Sequence, residues 1–125
     1  MRKSYAELIQ EPNAAEAITW LQETTNIDYR TISGGDGSDT AWLRDEALAI
    51  VQELYDLGAV CVTAVEIEGR VEGREHQDTS TLIVTLPKDG IERSRIFAWE
   101  AGFARGTGWE PDSDTGQEHL LIHRD

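Results

Sequence analysis

A single cysteine, Cys61, is the only thiol in the 125-residue chain, so no internal disulfide is open to it. Basic residues are scarce. Eleven Lys and Arg stand against 24 Asp and Glu, for a formal net charge of -13. A surface of that sign repels phosphate backbones, so direct binding of nucleic acid is not expected. No apolar run approaches the roughly 20 residues that span a bilayer, so no membrane partner is expected either. The start, Met1 to Glu7, leads into an amphipathic pattern without an apolar signal core. Together with the lone cysteine, this sets the expectation of a cytoplasmic protein.

What remains is enough for a folded core. Leu, Ile, Val and Phe number 10, 10, 6 and 2, or 28 of 125 residues. That stands just above the roughly 20% below which a highly charged chain stays unfolded. Four Trp add large apolar surface. The length suits one domain over 1–125, with residues 1–26 as an N-terminal helical segment packed on it.

Ser4 and Glu7 have capping-box spacing, with Tyr5, Leu8 and Ile9 as an apolar stripe. Pro12 interrupts, and Asn13 with Glu16 makes a second box ahead of Ala17, Ile18 and Leu21. Two short helices over 4–10 and 14–24 follow from this. Ile27, Tyr29 and Thr31 alternate with polar residues as a short strand over 27–32. The Gly34–Asp39 loop leads to a helix over 40–57, capped by Ser38 or Asp39 and stopped by Gly58. Residues 59–68 and 79–86 read as strands, 90–105 as a helix opened by Asp89, and 120–122 as a final strand. The predicted fold class is α+β: a two-layer α/β sandwich with helices on one face of a mainly antiparallel sheet of three or four strands. The element order is ferredoxin-like, or related to it, after two N-terminal helices.

The spacing of polar residues argues against most chemistry. His119 and His123 lie on one strand about 13 Å apart, too far to share a metal ion. Asp112, Asp114 and Glu118 lack the spacing of a calcium loop. The glycine loop lacks the Lys of a phosphate cradle. Neither a metal nor a cofactor is expected. Cys61, between Val60 and Val62, is expected to be a buried, inert thiol. The weak catalytic candidates are His76 and Asp78 near the hairpin, and Arg93 and Glu100. The last two fall inside an apolar arc of the 90–105 helix, where a charge is costly unless paired; the favoured alternative is that they sit at the edge of the arc and snorkel to water. Trp99 projects from another side of that helix, which provides either a second internal contact or a homodimer surface.

The negative charge is not evenly spread. Residues 34–58 hold 1 base and 6 acids, a net -5. Asp45, Glu46, Glu53 and Asp56 share the polar arc of the 40–57 helix, and the helical period puts Trp42 in that arc as well. An exposed Trp ringed by carboxylates suits a protein–protein anchor; the alternative is a Trp42 folded back on the neighbouring loop or helices. The resulting expectation is a small, acidic, non-catalytic binding protein for a basic protein partner, comparable in charge and size to immunity proteins and inhibitors. Its contact set is Asp39, Trp42, Asp45, Glu46, Glu53 and Asp56. The competing expectations are a small-molecule or enzymatic pocket near the hairpin, and a structural or oligomerisation domain.

Overall fold

The structure, a computed structural model, describes residues 4–24, 29–32, 42–69, 76–107 and 111–123. It is mixed helix and strand. The elements are α1 (Tyr5–Leu8), β1 (Ala15–Glu16), α2 (Ala17–Gln22), β2 (Arg30–Ile32), α3 (Arg44–Asp56), β3 (Cys61–Val65), β4 (Gln77–Thr79), β5 (Thr81–Thr85), α4 (Gly90–Thr107) and β6 (His119–His123).

The main sheet has four antiparallel strands in the order β1-β3-β5-β6. Its register places Ala64, Leu82 and Ile122 in one row and Val62, Val84 and Leu120 in the next, all on the same face. Helices cover that face. Trp20 and Leu21 of α2, Ala47, Val51 and Leu54 of α3, and Ile96 and Phe97 of α4 join those strand residues in one buried cluster. Burying such side chains contributes roughly 1.5–3 kcal/mol each, which makes this face the main source of stability.

Two expectations about order are corrected. A ferredoxin-like sheet would include the strand near 27–32 beside the later strands. Its described part, Arg30–Ile32, instead pairs in parallel with Gln77–Thr79 in a separate two-stranded sheet. On its other side Ile32 bridges Trp42, through N–H···O bonds of 2.9 and 2.7 Å. The fourth place in the main sheet goes to Ala15 and Glu16, which the helical period had assigned to a helix. Backbone pairing with Ala64 and Thr63 overrides the local periodicity there.

The cap of α2 moves accordingly. Glu16, not Asn13, is the N-cap, and its carboxylate accepts from the Ile18 and Thr19 amides at 3.0 and 2.8 Å. The Ser4–Glu7 box has both of its bonds, although α1 is only four residues long. Asp89 caps α4 by accepting from the Glu92 amide at 2.9 Å. Leu57 closes α3, and Gly58 follows at φ +117°, a left-handed angle that needs glycine. A Cβ at Gly58 would also run into the Glu92 side chain.

A buried polar bond joins α2 to the small sheet. The Trp20 indole N–H, fully enclosed, donates to Gln77 Oε1 at 2.8 Å. Gln77→Leu removes the acceptor and leaves that N–H unpaired. It is expected to cost about 1–3 kcal/mol in urea unfolding, with part of the loss recovered when Trp20→Phe is added.

Candidate functional site

α3 presents the charged face singled out in the sequence. At 100° per residue, Gln52, Asp45, Asp56, Ala49, Glu53 and Glu46 follow one another around one side of the helix, and all six are exposed. Four of the six are carboxylates, and no cation lies among them. The stripe runs from Asp45 to Asp56, about 17 Å along the helix. Arg44 flanks it on a half-buried side. It reaches Asp45 at 3.1 Å and donates to the Thr24 carbonyl at 2.8 Å, tying the start of α3 to the end of α2.

The ends of α3 differ in electrostatic sense. Asp45 and Glu46 sit in its first turn, where the partial positive charge of the helix stabilises them. Glu53 and Asp56 sit near the C-terminal end, where the partial charge is negative, and the last turn holds no basic residue. Each carboxylate there costs about 0.3–1 kcal/mol. Only a 3.1 Å bond from Gln52 Nε2 to Asp56 offsets this locally.

Trp42 is not part of this face, which corrects its expected placement. α3 starts at Arg44, so the helical arc does not reach position 42. Trp42 is half-buried and meets the Phe103 ring edge-on, with centroids 5.7 Å apart. Phe103 stacks in turn on Trp99 at 5.6 Å. Trp99 and Phe103 lie one turn apart on α4, and Trp42 meets that pair through Phe103. Asp39 lies outside the described residues.

The weak catalytic candidates do not converge. Arg93 and Glu100 both hold the segment after α4. Arg93 grips Asp114 with two nitrogens, at 3.2 and 2.6 Å, and donates to the Pro87 carbonyl at 3.2 Å. Glu100, only 5% exposed, accepts from the Asp112 amide at 2.9 Å. These are the partners the apolar arc calls for, and they are structural. His76 is exposed just before β4, and Asp78 exchanges backbone bonds with Glu68. An open cleft of about 400 Å³ is lined by Ser4, Tyr5, Ala6, Asp112, Gln117, Glu118 and His119, none of them one of the four candidates. Among the described residues, no group of three or more His, Cys, Asp or Glu is placed to hold a metal ion.

One polar constellation was missed in the sequence. The Tyr55 hydroxyl donates to Glu16 Oε2 at 2.7 Å, accepts from the Val62 amide at 2.9 Å, and lies 3.9 Å from Cys61 Sγ. Cys61 is half-buried rather than enclosed. It sits at the end of β3 away from the β3–β4 connection, and therefore away from His76 and Asp78. Burial and the bond to Glu16 push the Tyr55 hydroxyl far up. Burial pushes the Glu16 carboxyl up as well, but bonds from Tyr55, Thr19 and Ile18 outweigh it and hold the carboxyl below its usual range. A phenol that keeps its proton and spends it on a carboxylate is no base for Cys61. Spacing gave no signal for this cluster, because Glu16 and Tyr55 are 39 residues apart and meet only in the tertiary fold.

Burial pushes the Glu100 carboxyl above its usual range. The folded state then holds this proton more tightly than the unfolded state. That adds stability below the ordinary carboxylate pKa, and the gain is lost as pH rises through the folded value. Glu100→Gln keeps an acceptor for the Asp112 amide and removes the buried charge. It is expected to raise the urea midpoint at neutral pH and to leave it unchanged near about pH 4.

Compared with protein-family models, with curated proteins and with solved structures, the chain matches none.

Proposed function

We propose that the chain is a non-catalytic binding protein on a two-layer α/β scaffold, and that the outer face of α3 receives a basic protein partner in the manner of an immunity protein or inhibitor. The observation that carries this reading is the placement of Glu53 and Asp56. Two carboxylates near the negative end of a helix, with no basic residue in its last turn, work against the stability of that helix. Solubility alone is served equally well by acids at the other end or elsewhere. A basic partner recovers the lost energy on binding and is steered towards the stripe as it approaches.

The contact set is Asp45, Glu46, Glu53 and Asp56, with Ala49 and Gln52 between them. Trp42 is left out of this set, because its ring packs on Phe103. The hydrogen-bonded roles of Arg93 and Glu100, and the saturated Tyr55 hydroxyl, offer no reacting group to set against this reading.

Two outcomes are expected. Asp56→Lys alone should raise folding stability by about 0.3–1 kcal/mol, measured by thermal or urea unfolding, because it reverses the sign at the helix end. Asp45, Glu46 and Glu53 changed together to Lys should keep the far-UV circular dichroism of the wild type. Proteins retained by the immobilised wild-type chain, and identified by mass spectrometry, should be basic, should elute with salt, and should be lost on the triple variant. Retention of the same proteins by both chains would refute the assignment.

A further inference from the structure

Two contacts show how α3 and α4 lie against each other. The Glu92 side chain, in the first turn of α4, fills the space where a Cβ on Gly58 would lie, just past the end of α3. Further along α4, Phe103 meets Trp42, two residues before α3 starts. The start of one helix thus adjoins the end of the other, and the two run antiparallel as neighbours. Glu92 and Phe103 also mark the side of α4 that is turned to α3. Trp99 belongs to that side, stacked on Phe103. On α3, Arg44 and Tyr55 are bonded to Thr24 and Glu16 at the two ends of α2, so that side is taken. The opposite border of the acidic stripe, formed by Glu53 and Glu46, is therefore the one nearer α4.

The outer face of α4 differs in kind from that of α3. Its exposed residues, among those described, are Gly90, Ile91, Ser94, Arg95, Ala98 and Gly102, and not one is acidic in a chain with 24 acids. At 100° per residue, Ile91, Arg95, Ala98 and Gly102 fall within an arc of about 60°. Ile91 is 65% exposed, more than any other large apolar residue described. It gains little from burial there, and it is a poorer helix former than Gln, Glu or Lys. Gly102 stands inside the helix with nothing within 4 Å of the place a Cβ would take, so no contact in the chain calls for glycine. It weakens the helix and leaves the backbone open to close approach from outside.

The two outer faces make one surface with unlike halves, an acidic one on α3 and an apolar one on α4. Each runs for about 17 Å, from Asp45 to Asp56 and from Ile91 to Gly102, so a single helix of about three turns spans both. We infer that the partner of the α3 face presents an amphipathic basic helix, which lies along α3 and α4 together. Its Lys and Arg side chains meet Glu46 and Glu53, and its apolar side meets Ile91, Ala98 and Trp99. This rests on the α3 reading and narrows it. Basic side chains alone are served by α3, whereas on α4 they find only Arg95. Charge thus orients the helix, and apolar residues one turn apart anchor it. A second copy of this chain would bring another charge of -13 to the same place.

Two synthetic peptides of about 15 residues, with the same Lys and Leu composition, test this: one has Leu at helical i, i+3, i+4 and i+7 spacing, and the other is scrambled. In fluorescence anisotropy, the full chain should bind the amphipathic peptide at least tenfold more tightly than the scrambled one. Ile91→Gln with Ala98→Gln removes apolar surface and leaves the charge unchanged. It should abolish that preference and keep the salt dependence. Both positions are exposed, so far-UV circular dichroism should stay that of the wild type, and either single variant decides the matter if the double one fails to fold. The triple Lys variant of α3 should lose both peptides. Equal binding of the two peptides by the wild type, no binding of either, or a preference that survives the double variant overturns the proposal. Retention of both peptides by the triple variant instead refutes the α3 reading, so the two failures are told apart. Light scattering at twice 13.9 kDa that falls to 13.9 kDa in the double variant gives the face to a second copy. Binding to phosphatidylcholine vesicles that the double variant loses gives it to a membrane. Either result overturns the proposal.

Discussion

The carboxylate of Glu16 holds the architecture together at the point where its elements meet. It caps α2 through two backbone amides, takes a bond from the Thr19 hydroxyl and takes another from Tyr55 of α3. Its own backbone pairs with Thr63 of β3. Tyr55 continues the connection by accepting from the Val62 amide. One ionised group thus fixes the angle between two helices and the sheet edge they lean on. A carboxylate accepting several N–H and O–H donors keeps its charge readily, so the junction stays intact across the neutral range.

The charge of -13 acquires structure on this frame. Some acids are committed to internal work: Glu16 at the junction, Asp89 as a cap, and Glu100 and Asp114 at the segment after α4. The exposed stripe of α3 has little such employment. Asp45 meets Arg44 and Asp56 meets Gln52, but no ion pair between described residues involves Glu46, Glu53 or Asp56. The difference between acids that hold the fold and acids that only face outwards is what separates a structural charge from one kept for a partner.

The sequence disclosed what depends on local rules. The Ser4–Glu7 box, the Asp89 cap, the Gly58 stop and the apolar runs that become β5 and β6 all follow from neighbours within a few positions. What depended on distant pairing was hidden. Ala15 and Glu16 carry a helical pattern yet become a strand, because Thr63 and Ala64 offer open backbone groups. Arg30–Ile32 reads as a strand but joins Gln77–Thr79 instead of the main sheet. Trp42 obeys a helical period in the sequence, although the helix begins two residues later. The acidic face of α3 was legible because all of its residues fall within one unbroken helix of 13 residues, where the period holds.

The separate two-stranded sheet also bears on the order in which the chain folds. Its pairing of Arg30 with Gln77 encloses about three times as much chain as the Val65–Thr81 pairing of the main sheet, which adds about 1 kcal/mol of loop-closure entropy. Only Ser80 separates β4 from β5. The β3–β5 pair therefore forms at lower entropic cost and holds Gln77 in place. The Arg30 segment then adds to an edge already standing, with Trp20 waiting in the core to receive the Gln77 side chain. Early contacts in this chain build the β3–β5 pair, and the pairings of β1 with β3 and of β2 with β4, which enclose similar lengths of chain, close onto it at greater entropic cost.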